Sequence, residues 1–244
     1  NKTLLHARKK NIVDNAIEGF NNMLHPDLII LCTPLSSYTD IAKQLIKNVH
    51  KNSLLTDIGS SKGNLHKKLY QLTYKSKIDY LSSHPMVGSE KFGIENNKDD
   101  IYRDKIIFII DKNKAKPSTH KKIVLFWKAL GSVTYDVSHS KHDQLMSQTS
   151  HISHLMSYIF MESLPQSVID NNLPLLLGGG IKEHVRLSRS DPRMWSDIFI
   201  NNKKNIKKSV NVIEKNISKI KLLIEQSDDK NLKELLNKIQ SKTT

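Results

Sequence analysis

The chain has 244 residues, 38% hydrophobic and 25% charged, with a formal net charge of +14. That length holds one large domain or two modest ones, and that apolar content excludes a disordered chain. No window reaches the roughly 18 continuous apolar residues of a membrane helix, and a lone cysteine, Cys32, excludes an internal disulfide.

The basic residues form no run of five or six and do not interleave with aromatics, so a solvated helical face explains them better than nucleic acid or a membrane surface. The first ten residues carry Lys2, His6, Arg8, Lys9 and Lys10 with no apolar stretch behind them, which is no signal peptide. A cytoplasmic protein is expected. Asn1 in place of Met leads us to expect that an N-terminal piece precedes it.

In chain order, residues 1–22 read as helical on Leu4, Leu5, Ile12, Val13 and Ile17. Residues 27–32 are a buried strand stopped by Thr33-Pro34, followed by a helix over 40–49. Residues 53–58 are a strand broken by Gly59, and a helix spans about 62–74. A strand over 78–82 runs into Ser82-Ser83-His84-Pro85-Met86-Val87-Gly88-Ser89-Glu90. Residues 93–104 are polar and irregular. A strand at 105–110, a helix at 117–130 and a strand at 132–137 complete an alternation that specifies a parallel, doubly wound sheet. From Ser138 onward no strand is expected. One long helix covers 139–162, another 166–178, and further helices cover 181–189, 191–202 and 203–241. We therefore expect an α/β domain at 1–137 and an all-α domain at 138–244. Apolar stripes on the late helices (Val210, Val212, Ile213, Ile217, Ile220, Leu223, Ile224) suggest dimerisation.

Five stretches carry chemistry. Cys32, Thr33 and Pro34 form a strand-end turn of the kind that faces a dinucleotide crevice. Gly59, Ser60 and Lys62 lie between a strand and a helix, where a missing Cβ admits a ligand and helix amides with Lys62 favour an anion. His84 ends a strand and has the pKa range to accept a hydroxyl proton, with Glu90 six residues on. His151 and His154 share a helical face. With His139 and His142 they raise a zinc reading, which we set aside because the i, i+4 spacing with an intervening Glu is absent. The last runs from Gly178 to Trp195. Its three glycines allow close approach, and Arg186 either binds a carboxylate or pairs with Glu183 one turn back.

Asp57-Ile58-Gly59-Ser60-Ser61-Lys62-Gly63, the histidine stretch from Ser83, Ser150-His151-Ile152-Ser153-His154 and Gly178 to Trp195, in this order, resemble the prephenate dehydrogenase family, which includes arogenate dehydrogenases. The resemblance covers residues 1 to about 225. It implies a Rossmann-type domain, N-terminally incomplete because no G-x-G-x-x-G turn is present, followed by an all-α dimerisation domain. It implies oxidative decarboxylation of prephenate with NAD, or NADP, in tyrosine biosynthesis. His84 and Ser60 would be catalytic. Arg186, His151, His154, Glu90, Glu183, Gly179 and Trp195 would bind substrate, and Cys32, Thr33, Pro34, Gly59, Ser60 and Lys62 the cofactor, with no metal. The partners implied are a small-molecule substrate and a second copy of the chain, with no nucleic acid and no membrane. The alternatives are arogenate as substrate, a β-hydroxyacid dehydrogenase with a catalytic lysine, and a non-catalytic dimerisation module.

Overall fold

A computed structural model describes residues 2–20, 26–49, 53–88, 100–167 and 178–242. It divides into two compact units, Asn1–Asn202 and Lys203–Thr244. In the first unit, β1 (Leu28–Leu31), β2 (Leu54–Asp57) and β3 (Asp79–Tyr80) form a parallel sheet in that order. A second sheet runs β4 (Ser83–Pro85), β5 (Ile106–Ile110), β6 (Val133–Val137). The two sheets meet at Ser82. The Leu81 amide donates to the Leu55 carbonyl at 3.1 Å, and the Ile110 amide donates to the Ser82 carbonyl at 2.9 Å. One strand thus leaves β2 and takes up β5 within three residues.

The parallel arrangement expected from the alternation holds for β1–β3 and for β5 with β6, but β5 runs antiparallel to β4. A parallel connection needs a covering crossover of a dozen or more residues, usually a helix, whereas an antiparallel one does not. The strand β5 is buried on both faces. Ile107 and Ile109 pack with Leu81, Ile123 and Trp127, while Phe108 and Ile110 pack with Met146. This alternation is the period-two signature of a central strand, and it explains why the segment reads as one apolar run.

Helices α2 (Tyr38–Asn48) and α3 (Gly63–Lys75) cover the first sheet through Tyr38, Ala42, Leu45 and Leu69. Helix α4 (Pro117–Ala129) brings Ile123 and Trp127 to the second sheet. The first helix, α1 (Lys2–Lys9), is shorter than the helix expected over 1–22. Asn11 stands at φ 53°, and the amides of Asn11 and Ile12 turn back to the Arg8 and Ala7 carbonyls at 3.1 and 3.0 Å. This left-handed cap ends the helix before the apolar residues beyond it can extend the pattern.

Helix α5 (His139–Met146) passes through a π-helical segment, Ser147–His151, into α6 (Ile152–Glu162). The helix expected at 139–162 is therefore continuous but carries an inserted residue. Most of the helix expected at 166–178 lies outside the described residues. Next come α7 (Gly179–Ser188) and α8 (Pro192–Asn201), the latter capped by Asp191, which accepts from the Arg193 amide at 2.8 Å. Trp195 and Ile198 of α8 join the core formed by α2, α3 and the first sheet. The second unit is a pair of helices, α9 (Lys203–Glu225) and α10 (Asp229–Gln240), with Val212, Ile217, Leu222, Ile224, Leu236 and Ile239 exposed. Among the described residues no helix is long and apolar enough to cross a membrane.

Gly63, the first residue of α3, has φ +37°, and a Cβ there would run into the Asn201 carbonyl oxygen. Gly63→Ala is expected to lower unfolding stability by roughly 1–3 kcal/mol in urea denaturation, because neither backbone can yield freely.

Candidate active site

The end of β2 is organised by a buried ion pair. Lys62 Nζ lies 2.8 Å from Asp57 Oδ1 and 2.8 Å from the Ser83 carbonyl, and Tyr80 donates to Asp57 Oδ2 at 2.8 Å. Both partners are fully buried. Burial alone would raise the Asp57 carboxyl, but the Lys62 charge and its hydrogen bond hold it below the usual range. Sequence placed Lys62 at a cofactor or an anion. Its ammonium instead points inward as the counter-ion of Asp57, because a buried carboxylate without a partner would cost several kcal/mol. Gly59 is likewise required by the fold. A Cβ there would lie 2.7 Å from Leu35 Cδ2 and 3.0 Å from Asp57 Oδ1, so the space is taken by protein and not by a ligand.

The N-terminus of α3, expected to attract a ligand anion, already has one. Asp143 on α5 accepts from the Lys62 amide through Oδ1 at 2.9 Å and from the Gly63 amide through Oδ2 at 2.6 Å. These first-turn amides have no partner within the helix, and a carboxylate at this end is favoured by the helix dipole as well. Burial would raise the Asp143 carboxyl, but hydrogen bonds from His142, Gly63 and Lys62 outweigh it and hold it ionised.

From Asp143 a chain of hydrogen bonds reaches His84. His142 Nδ1 is 2.9 Å from Asp143 Oδ1, and His142 Nε2 is 2.8 Å from His84 Nδ1. An ionised carboxylate only accepts, so the His142 proton sits on Nδ1. Nε2 of a neutral His142 then only accepts, and His84 must donate from its own Nδ1. This tautomer leaves His84 Nε2 with a bare lone pair and, among the described residues, no partner. Both rings are held neutral. Burial lowers the His84 pKa well below 6.5, and His142, Lys62 and His151 add to it. Burial also lowers His142, against the raising effect of Asp143.

The π-helical segment places His151 in the same interior, at 1% exposure. One inserted residue rotates the helix face, which is how such segments re-aim functional side chains. Asn202 Nδ2 donates to the Asp143 carbonyl at 2.8 Å and lies 3.2 Å from His151 Nδ1. His151 Nδ1 is thus engaged by Asn202. The Ser60 backbone lies close enough to His151 to favour its protonated form, against burial. Burial lowers its pKa to about 4. His154, one turn on, stacks on Trp195 with ring centroids 3.6 Å apart, and Trp195 Nε1 is buried without a partner among the described residues. Arg186 is close enough to His154 to help lower its pKa, after burial.

The structure therefore brings together His84, Ser60, His151, His154, Trp195 and Arg186. Arg186 itself reaches Glu183 Oε2 through Nε at 3.0 Å and through Nη2 at 2.9 Å, the pairing one turn back considered from sequence. Gly179 opens α7 with nothing within 4 Å of an added Cβ. Cys32, Thr33 and Pro34 form an exposed turn at the end of β1. Glu90 lies outside the described residues. Sequence reasoning missed Asp143 and Asn202, and saw His142 only as a metal candidate. The adjacent pair His142-Asp143 is the signal that was available.

Two family models divide the chain: the nucleotide-binding domain of prephenate dehydrogenase matches residues 1–136, and its dimerization domain matches residues 138–238. The chain belongs to the prephenate dehydrogenase family. A prephenate dehydrogenase from Aquifex aeolicus, solved with hydroxyphenyl propionate and NAD+, superposes with a TM-score of 0.88 at 28% identity, covering 99% of this chain and 85% of that one. Prephenate dehydrogenase from Bacillus subtilis (strain 168) is 25% identical over 231 residues, which is 93% of this chain and 62% of the relative. Cyclohexadienyl dehydrogenase from Zymomonas mobilis is 24% identical over 199 residues, 80% of this chain and 67% of the relative. The chain thus spans about three fifths of the length of the B. subtilis relative.

The burial of His151 ties stability to pH. His151 is neutral in the fold down to about pH 4 but titrates near 6.5 when unfolded. Between those values the unfolded chain binds the extra proton, so stability is complete above about pH 6.5 and falls as pH drops toward 4. His151 alone should remove about 2 kcal/mol between pH 7 and pH 5. The check is urea denaturation at both pH values, and the difference should shrink in His151→Gln.

Proposed function

We propose that this protein is an NAD-dependent prephenate dehydrogenase that oxidatively decarboxylates prephenate to 4-hydroxyphenylpyruvate, with His84 as general base. The observation that carries this is the bare Nε2 of His84, fixed by the Asp143–His142 chain in a neutral ring. Loss of hydride from the carbon bearing the substrate hydroxyl requires that hydroxyl to lose its proton. A neutral imidazole with its second nitrogen tied to an acceptor is arranged to take it. Decarboxylation then aromatises the ring, and the enzyme need only hold the ring and its carboxylates.

The fit of a dinucleotide rests on the exposed turn Cys32–Pro34 beside Ile58–Ser60. The Ile58 amide donates to the Leu31 carbonyl at 3.3 Å, so both turns leave the carboxyl ends of adjacent parallel strands, where open α/β sheets bind such ligands. NAD would supply the hydride acceptor there. Ser60, whose side chain has no partner among the described residues, would hydrogen-bond the reacting hydroxyl. Trp195 Nε1, a buried donor without a partner among the described residues, and His154 stacked on it would line the substrate face. Arg186 would exchange Glu183 for a substrate carboxylate, a trade of one carboxylate for another within reach of the same planar fork. The exposed apolar residues of α9 and α10 would be covered in a homodimer.

In steady-state assays of the full protein with prephenate and NAD, His84→Asn is expected to lower kcat by about 10²–10⁴-fold with KM little changed. Arg186→Gln should chiefly raise KM. Near-normal turnover in His84→Asn would remove His84 from the chemistry. Asp143→Asn should lower kcat with KM retained, since it releases the His142 tautomer that holds His84.

A further inference from the structure

We propose that His66, Asp111 and His139 form a binding site for a divalent transition-metal ion of the zinc type. The three side chains come from separate elements: the first turns of α3, the residue after β5 and the first residue of α5. Their ligand atoms all lie within 4.8 Å of one another. His66 Nε2 is 3.1 Å and His139 Nδ1 2.8 Å from the same oxygen, Asp111 Oδ2. A tetrahedral ion with bonds of about 2.0–2.2 Å holds its ligands roughly 3.4 Å apart, so each histidine needs to move only a few tenths of an ångström from Asp111 Oδ2, and the two histidine nitrogens already lie within 4.8 Å of each other. Two imidazoles and one carboxylate form a recurrent donor set for zinc and its first-row neighbours.

Asp111 is held for the task by its backbone. Its φ is 52°, its amide donates to the Val137 carbonyl at 2.9 Å, and its Oδ1 accepts from the His139 amide at 2.9 Å. Only Oδ2 is left to face the rings. There it also meets Lys114 Nζ at 2.7 Å, so three donors crowd one oxygen. Lys114, 42% exposed, is the displaceable one of the three. A pocket of about 340 Å³ reaches the trio at Asp111, with Lys114, Asp136 and Ser138 on its wall. His66 Nδ1 is buried with no partner among the described residues. An ion on Nε2 would leave that N–H without the usual outer acceptor, which limits affinity without preventing binding. The histidines that sequence grouped as possible zinc ligands are thereby separated: His139 turns to Asp111, while His142 turns to Asp143 and His84.

The site ties α3, β5 and α5 together, so an ion there should stabilise the fold in proportion to its occupancy. The test uses the full, tag-free chain stripped with a chelator. Cobalt(II) titration should give visible ligand-field bands saturating at one equivalent, zinc should displace them, and zinc should raise Tm. His139→Gln should weaken binding more than about 100-fold, beyond the loss typical of an outer-sphere change. Lys114→Met, which removes the competing ammonium, should tighten it. No saturable binding, or equal affinity in wild type and His139→Gln, would overturn the proposal and leave Asp111 as an ion-pair hub.

Discussion

The Asp143 carboxylate is the interaction on which the rest of the site depends. It closes the exposed amides of α3, fixes the proton on His142 and, through that ring, on His84. Its own backbone carbonyl receives Asn202, which also reaches His151. One side chain on the helical part thus sets the start of a helix on the sheet part and the protonation of a histidine on β4. A carboxylate so deeply buried is tolerable only because three donors meet its two oxygens.

A second buried charge, Asp57, works beside it. Paired with Lys62 and bonded by Tyr80 and the Gly59 amide, it fixes the turn after β2 from inside. The two acids flank α3 at its start, and each takes a donor from Lys62: Asp57 the ammonium, Asp143 the amide. The positive charge of Lys62 also presses on His84 and His142, which reinforces the neutral state of both rings. Structural and chemical roles are therefore shared by the same few groups. Removing one partner exposes an unpaired buried charge as well as altering the site.

Much of this was legible in the sequence, and the failures have physical causes. Strands and helices announced themselves through apolar runs and helical spacing, and β5 was the clearest because both its faces are buried. The antiparallel turn at β4 was not legible, because strand direction depends on where a chain goes next and not on local composition. The first helix was overextended because Asn11 adopts a left-handed cap that apolar spacing does not report. At the site, His84, His151 and His154 were singled out from residue type and position, and Trp195 from the family resemblance. Lys62 was assigned to a ligand because a lysine at a helix start ordinarily faces solvent. Its true partner, Asp57, lies only five residues back, and the contact follows from the sharp turn at Gly59. Asp143 bonds residues 80 and 81 positions away, and no local pattern encodes such a contact.

The general-base role of His84 depends on one protonation state, and nitrogen-detected NMR of His84 reads it directly. The account predicts a neutral ring protonated on Nδ1, with Nε2 unprotonated, persisting on acidification well below pH 6.5, and loss of that single tautomer in Asp143→Asn. A His84 ring protonated on Nε2, or one that titrates near 6.5 as an exposed histidine does, would contradict it.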